Sequence, residues 1–132
     1  MPTIPWTAGP AAGHSGEVTV MASEFKLRRL SQVPGFLRAS LAIRKQALAT
    51  GGAVGMSLRA APLRRTFWTL SAWESRPALE ALVGAEPHRS TMKRMRPAME
   101  ASVFTFWTTT GDRLPDWAEA DRRIETQRRG TA

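Results

Sequence analysis

Alternating apolar and polar residues predict four β-strands in this chain. They cover residues 17–25, 53–60, 65–73 and 101–109. In the first strand Val18, Val20 and Ala22 alternate with polar or flexible neighbours, which is the two-residue period of a sheet. The last two strands are apolar at successive positions, so we expect both of their faces to be buried.

Apolar residues three or four positions apart predict three helical regions. They cover residues 31–49, residues 76–99 with a break at residues 84–87, and residues 116–128. Ser31 and Ser75 are the predicted N-caps of the first two, because a serine hydroxyl can accept a hydrogen bond from a free backbone N–H of the first turn. The third is polar and charged, with Trp117 and Ile124 on one side.

The order of these elements is β-α-β-β-α-β plus a terminal helix, which predicts an α+β, ferredoxin-like split βαβ fold. We assign the domain to residues 17–110, a flexible Pro- and Gly-rich arm to residues 1–16, and a C-terminal helix and tail to residues 111–132. Such a sheet carries helices on one face, so a monomer would leave an apolar second face exposed. We therefore expect a homodimer in which two sheets pack face to face as a dimeric α/β barrel.

Composition excludes several classes of protein. The 132 residues suffice for one domain with its own core. The absence of Cys excludes disulfides, a thiol nucleophile and thiolate metal sites, and the absence of Tyr excludes a phenol acid or base. No stretch is long and apolar enough for a membrane span, and the N-terminus lacks the pattern of a secretory signal. We expect a cytoplasmic protein without a membrane partner.

The formal net charge of +8 raises the question of nucleic-acid binding. The basic residues are scattered, and the densest group, within residues 88–96, alternates with Met at helical spacing. That pattern is typical of the solvated face of an amphipathic helix. The charge pattern therefore argues against a nucleic-acid partner.

His88 is the first candidate for chemistry, because it is the one group in the predicted domain that titrates near neutral pH. It begins a stripe in which Met92, Met95 and Met99 follow at spacings of four, three and four. On that apolar face His88 is a candidate general base or haem ligand. The alternative is a buried histidine that only bonds the backbone.

Trp68, Trp73 and Trp107 are candidates for stacking on a flat aromatic ligand, and the alternative is that they fill the core and the dimer interface. Arg59, close to the predicted hairpin, is a candidate for neutralising an enolate or carboxylate; the alternative is an exposed arginine. Two histidines without cysteine make a poor set of metal ligands, so we predict no metal site.

Two groups of residues resemble a known superfamily. The first consists of residues 66–75, Ala78-Leu79, Glu86-Pro87-His88-Arg89 and Met92, and it resembles the dimeric α/β-barrel superfamily that includes the antibiotic biosynthesis monooxygenases. The second consists of Phe106-Trp107, Gly111, Pro115 and Glu119-Ala120, and it is similar to an uncharacterised branch related to spheroidene-monooxygenase-like proteins. The resemblance covers roughly residues 17–125.

This resemblance implies a homodimer with a ligand pocket between the sheet and the helices of each protomer. Members of the superfamily include cofactor-free oxygenases of polycyclic phenols, haem-degrading oxygenases, decarboxylases and isomerases, and a shared fold does not choose among them. In the haem-degrading relatives the ligand His lies about one turn further along, where this chain has Met92.

We therefore expect a monooxygenase-like enzyme, either without a cofactor or haem-dependent, acting on a small apolar substrate that is aromatic or polyketide-like. His88 is the expected base, Trp68 and Trp73 the stacking residues, and Arg59 the group that stabilises the substrate anion, with Met92 and Trp107 lining the site. The alternative is a non-catalytic dimer that holds a hydrophobic ligand or haem in the same pocket.

Overall fold

The computed structural model describes residues 2–130 and contains one five-stranded antiparallel sheet. Its strands are β1 (Thr3–Ala8), β2 (Glu17–Leu27), β3 (Ala53–Ala61), β4 (Thr66–Trp73) and β5 (Met99–Thr110). Its helices are α1 (Val33–Leu48), α2 (Arg76–Gly84), α3 (His88–Met95) and α4 (Trp117–Gly130). Across the sheet the strand order is β1-β3-β4-β2-β5. The four neighbouring strands β3-β4-β2-β5 have the order of a ferredoxin-like sheet, which confirms the predicted α+β fold.

The prediction of a flexible arm over residues 1–16 is wrong for residues 3–8, because they form strand β1. This strand pairs with β3 at the edge of the sheet, where the missing N–H of Pro5 is tolerated. Trp6 is seated over Gly55, at which an added Cβ would lie only 2.5 Å from the Trp6 Nε1 atom. Met1 and residues 131–132, at the ends of the predicted arm and tail, lie outside the described residues.

Of the two predicted serine N-caps, the one at the start of α2 is confirmed and the one at the start of α1 is not. Ser75 caps α2 as predicted, since its hydroxyl accepts a hydrogen bond of 3.2 Å from the backbone N–H of Ala78. The predicted N-cap role of Ser31 is wrong. Ser31 lies inside a short 3-10 turn over residues 30–32, and α1 begins after Gln32 without a side-chain cap. Residues 85–87 separate α2 from α3, which confirms the predicted break.

The sheet has helices on both faces. One face, called the helix face here, packs against α1, α2 and α3 through two apolar clusters that include Phe36, Phe67, Trp73 and Leu79. The other, called the second face, carries a cluster in which Ala120 and Ile124 of α4 are fully or almost fully buried. Both faces of β4 are thus buried, as its sequence predicted. The same expectation is wrong for β5, because this strand lies at the edge of the sheet and most of its residues are exposed or half-buried.

The position of α4 corrects the argument for the dimer. A second copy was expected to cover the second face, but α4 of the same chain lies on it. Hydrogen bonds also anchor the helix, among them those from the Trp117 indole N–H to Ser57 Oγ at 3.1 Å and from Arg128 to Glu24 at 2.5 Å. The apolar second face therefore gives no reason by itself to expect a dimer.

Candidate functional site

A cavity of about 570 Å³ lies between the helix face of the sheet and helices α1, α2 and α3. Its volume falls within the range of small-molecule sites. Most of its lining is apolar, including Phe25, Met56, Leu79, Met92, Met95 and Phe106. An aliphatic or aromatic ligand would lose its contact with water here, which is the main source of affinity for such a molecule.

His88, the first residue of α3, lines this cavity and is partly buried. Its backbone N–H donates a 2.9 Å hydrogen bond to the side chain of Gln46, which ties the start of α3 to α1. The imidazole Nδ1 atom is buried and has no hydrogen-bond partner within residues 2–130. Burial lowers the pKa of His88 below its ordinary value, and a hydrogen bond to the Val83 backbone opposes that shift only in part. Burial therefore favours the neutral imidazole, which is the form that a general base requires.

Trp73 and Met92, two other residues predicted for the site, line the same cavity as His88. Met92 follows His88 by one helical turn, so the two side chains lie on one side of α3. Trp73 is 1% exposed, and its indole N–H donates to Ser71 Oγ at 2.9 Å. The structure therefore brings together three of the six residues selected from the sequence.

The other three, Arg59, Trp68 and Trp107, lie on the second face of the sheet. Trp68 and Trp107 belong to the cluster that packs against α4, because neighbouring residues of a strand point to opposite faces. The Arg59 guanidinium lies between the rings of Trp68 and Trp117, 4.5 and 4.4 Å from their centroids, and pairs with Asp121 at 2.6 Å. Their structural role is to hold α4, and they do not meet His88 in the large cavity.

Three hydroxyl residues that the sequence reading missed lie on the cavity floor. Ser23 of β2 and Thr69 and Ser71 of β4 line the cavity, and Ser23 and Ser71 are 0% and 1% exposed. The Ser23 and Thr69 hydroxyls form a short hydrogen bond with each other. A signal was present in the sequence: polar residues occupy alternate positions of strands that are otherwise apolar, and such positions share one face.

Charged side chains lie at the rim of the cavity rather than inside it. Arg76, Arg89 and Arg96 are exposed lining residues. Arg76 forms an ion pair with Glu80, and its guanidinium lies 4.1 Å from the centroid of the Phe106 ring. The rim is thus wet and basic, whereas the interior offers only hydroxyls and one imidazole.

Within residues 2–130 no group of three or more His, Asp or Glu side chains is arranged to hold a metal ion. No helix in that part of the chain has both the length and the apolar character needed to cross a membrane.

Comparison with known proteins places this sequence in a family. The model of the family described as "Domain of unknown function (DUF3291)" matches residues 26–131. The chain belongs to the DUF3291 family. The match begins near the end of β2 and includes the whole of α4, so the helix on the second face lies inside the family domain. No protein of curated function matches the sequence.

Solved structures with the same fold have low sequence identity to this DUF3291 member. A candidate antibiotic biosynthesis monooxygenase from Nitrosomonas europaea has a TM-score of 0.61 and 12% identity over 72% of this chain and 90% of its own. A candidate enzyme of the same description from Caulobacter crescentus has a TM-score of 0.59 and 20% identity, covering 71% and 90%. A dimeric ferredoxin-like protein of unknown function from Thermobifida fusca has a TM-score of 0.59 and 15% identity, covering 71% and 92%. These similarities establish the fold.

Proposed function

We propose that this protein is a monooxygenase-like enzyme that oxidises a small, apolar aromatic substrate in the cavity beside His88. The observation that carries the proposal is the half-buried imidazole of His88 on the wall of an otherwise apolar cavity of ligand size. The fold shared with proteins described as antibiotic biosynthesis monooxygenases agrees with this reaction class. The relation to the branch of spheroidene-monooxygenase-like proteins stays a prediction.

The proposed reaction begins with proton transfer to His88. A neutral imidazole takes the proton from a phenol, or from a carbon activated by an adjacent ring, and leaves a substrate anion. The cavity keeps water away from that anion, which makes it a better electron donor toward O2. The anion supplies the electrons, a C–O bond forms, and the O–O bond breaks with release of water. In sum a CH2 group and O2 give C=O and H2O, so no external reductant is required.

The test is oxygen consumption with a panel of polycyclic phenols and anthrones, followed by substitution of His88. We expect His88→Gln to lower kcat by about 10²-fold or more, the usual contribution of a general base. His14→Gln is the matched control, because the His14 ring lies outside the cavity and contacts the backbone carbonyl of Glu17. The proposal fails if His88→Gln retains full turnover of a substrate that the wild type oxidises.

The alternative function is a non-catalytic protein that holds a hydrophobic ligand or haem in the same cavity. One observation favours it: His88 is the histidine that lines the cavity, and an imidazole is a common iron ligand in haem proteins. Protein expressed with a supply of haem would then show a Soret band that is lost in His88→Ala. Oxygen consumption without a Soret band supports the enzyme instead.

We also propose that the protein is a homodimer, although not through the second face. Strand β5 lies at the edge of the sheet, and Phe104 and Phe106 on it are 39% and 40% exposed. The Thermobifida fusca protein with this fold is described as dimeric. Light scattering after size-exclusion chromatography is expected to give twice the chain mass, and the double variant Phe104→Ser/Phe106→Ser to shift it toward one chain. A monomeric wild type would refute the dimer.

A further inference from the structure

We propose that the hydroxyl groups of Thr69 and Ser71, the first of them oriented by Ser23, bind an oxygen atom of the ligand at the cavity floor, so that the preferred ligands are aromatic ketones and phenols. This inference rests on the proposed function, because it concerns the same cavity. It adds the orientation of the ligand and the chemical group that the site recognises.

The three hydroxyls form one cluster because of the sheet register. Ser23 of β2 is the direct cross-strand partner of Thr69 of β4, and their hydroxyls are hydrogen-bonded. Ser71 lies two residues beyond Thr69, so both side chains point to the helix face. Apolar neighbours surround the cluster on that face, among them Met21, Met56 and Phe25.

Two hydroxyl hydrogens of this cluster lack an acceptor within residues 2–130. The Ser71 oxygen accepts the indole N–H of Trp73, and Ser71 donates no hydrogen bond in return. In the pair of Ser23 and Thr69 one hydroxyl donates to the other. When the fully buried Ser23 donates, the hydrogen of the half-buried Thr69 hydroxyl is left over for a ligand. Polar groups buried without a partner are unfavourable, and a ligand oxygen would satisfy them.

The class of ligand follows from what faces the cluster. The cluster offers donors, so it selects an acceptor such as a carbonyl or phenol oxygen. The arginines lie at the exposed rim, away from the hydroxyl cluster, so the cavity floor does not favour a ligand carboxylate. An aromatic body would then fill the apolar space toward Met92 and Phe106. The Trp73 indole N–H donates to the Ser71 oxygen and so holds that hydroxyl in place.

The experiment compares two probes that differ in one oxygen. Isothermal titration calorimetry measures the affinity of 1-tetralone, whose carbonyl only accepts hydrogen bonds, and of tetralin, which has the same body without the oxygen. We expect the wild type to prefer 1-tetralone by about tenfold, the ratio given by one buried hydrogen bond. In Thr69→Val/Ser71→Ala the preference is expected to fall to about one, with tetralin affinity within about twofold of the wild type.

The controls separate this inference from the proposed function. Thr105→Val makes the same substitution on β5 away from the cavity, and it should keep the preference. If the double variant does not unfold cooperatively, the two probes are compared in the single variant Ser71→Ala instead. Equal binding of both probes to the wild type overturns the inference, because an ordered water rather than the ligand then bonds the hydroxyls. In that case the apolar cavity is still the ligand site. A preference retained in the double variant overturns it also. Failure of both probes to bind folded wild type contradicts the proposed function itself.

Discussion

The attachment of α4 to the second face can be tested by removing one buried side chain. Ile124 is 2% exposed and lies in the cluster that joins α4 to the sheet. The substitution Ile124→Ala removes three carbon atoms from this contact without changing a charge or a hydrogen bond. It therefore isolates the apolar part of the attachment from the hydrogen bonds of Trp117 and Arg128.

The expected loss follows from the burial of this side chain. Truncation of a buried Ile to Ala costs about 2–5 kcal/mol in unfolding free energy, depending on how far the surroundings relax. Alanine is the better helix former, which returns a few tenths of a kcal/mol. A helix lying on a sheet can settle into part of the space, so we expect about 2–3 kcal/mol. For a chain of 132 residues that corresponds to a fall in Tm of about 6–15 °C.

Urea unfolding followed by circular dichroism measures the change, with Leu63→Ala as the matched control. Leu63 is 88% exposed, so its truncation should change the unfolding free energy by less than about 0.5 kcal/mol. If Ile124→Ala behaves like Leu63→Ala, α4 does not stabilise the sheet. The second face would then have to be covered by another chain, and the midpoint would rise with protein concentration.

Three further outcomes are expected. Arg59→Ala should lower the unfolding free energy by about 1–2 kcal/mol, since the guanidinium lies between two tryptophan rings, and should leave the affinity for 1-tetralone unchanged; a loss of affinity would contradict its placement on the second face. Ser75→Ala should cost about 1 kcal/mol in the same urea assay, and Ser75→Asp should restore it, whereas equal stability of all three would contradict the cap. Because burial lowers the pKa of His88, the unfolded chain binds a proton more readily than the folded one. Stability should therefore fall as the pH drops below about 6.5, and His88→Gln should reduce this fall.

Local patterns were sufficient to predict the ferredoxin-like core. Alternation predicted β2 to β5, three- and four-residue spacing predicted the helices, and Ser75 marked the start of α2. These features depend on neighbours close in sequence, which a single sequence contains. The strand at residues 3–8 could not be recognised in this way. Its pairing depends on Gly55, some fifty residues away, leaving room for Trp6.

Predicting the site required knowing which face each strand residue occupies. Trp68 and Trp73 lie in one strand, but their positions differ by an odd number, five, so they point to opposite faces. The sequence showed that α4 has an apolar side without showing which surface receives it. His88, Met92 and Trp73 line one cavity because α3 lies over the helix face, where Met92 packs with the cluster of Phe67, a tertiary arrangement that no spacing along the chain encodes.

The distribution of the five tryptophans separates two optical signals in one molecule. Trp73 lines the large cavity, whereas Trp6, Trp68, Trp107 and Trp117 pack with the cluster of the second face. Ligand binding should therefore quench a minor share of the intrinsic emission, and that change should vanish in Trp73→Phe. Release of α4 should instead shift the emission of the remaining majority toward the red as their rings meet water. The native fluorescence thus reports occupancy of the cavity and detachment of the terminal helix separately, without an added dye.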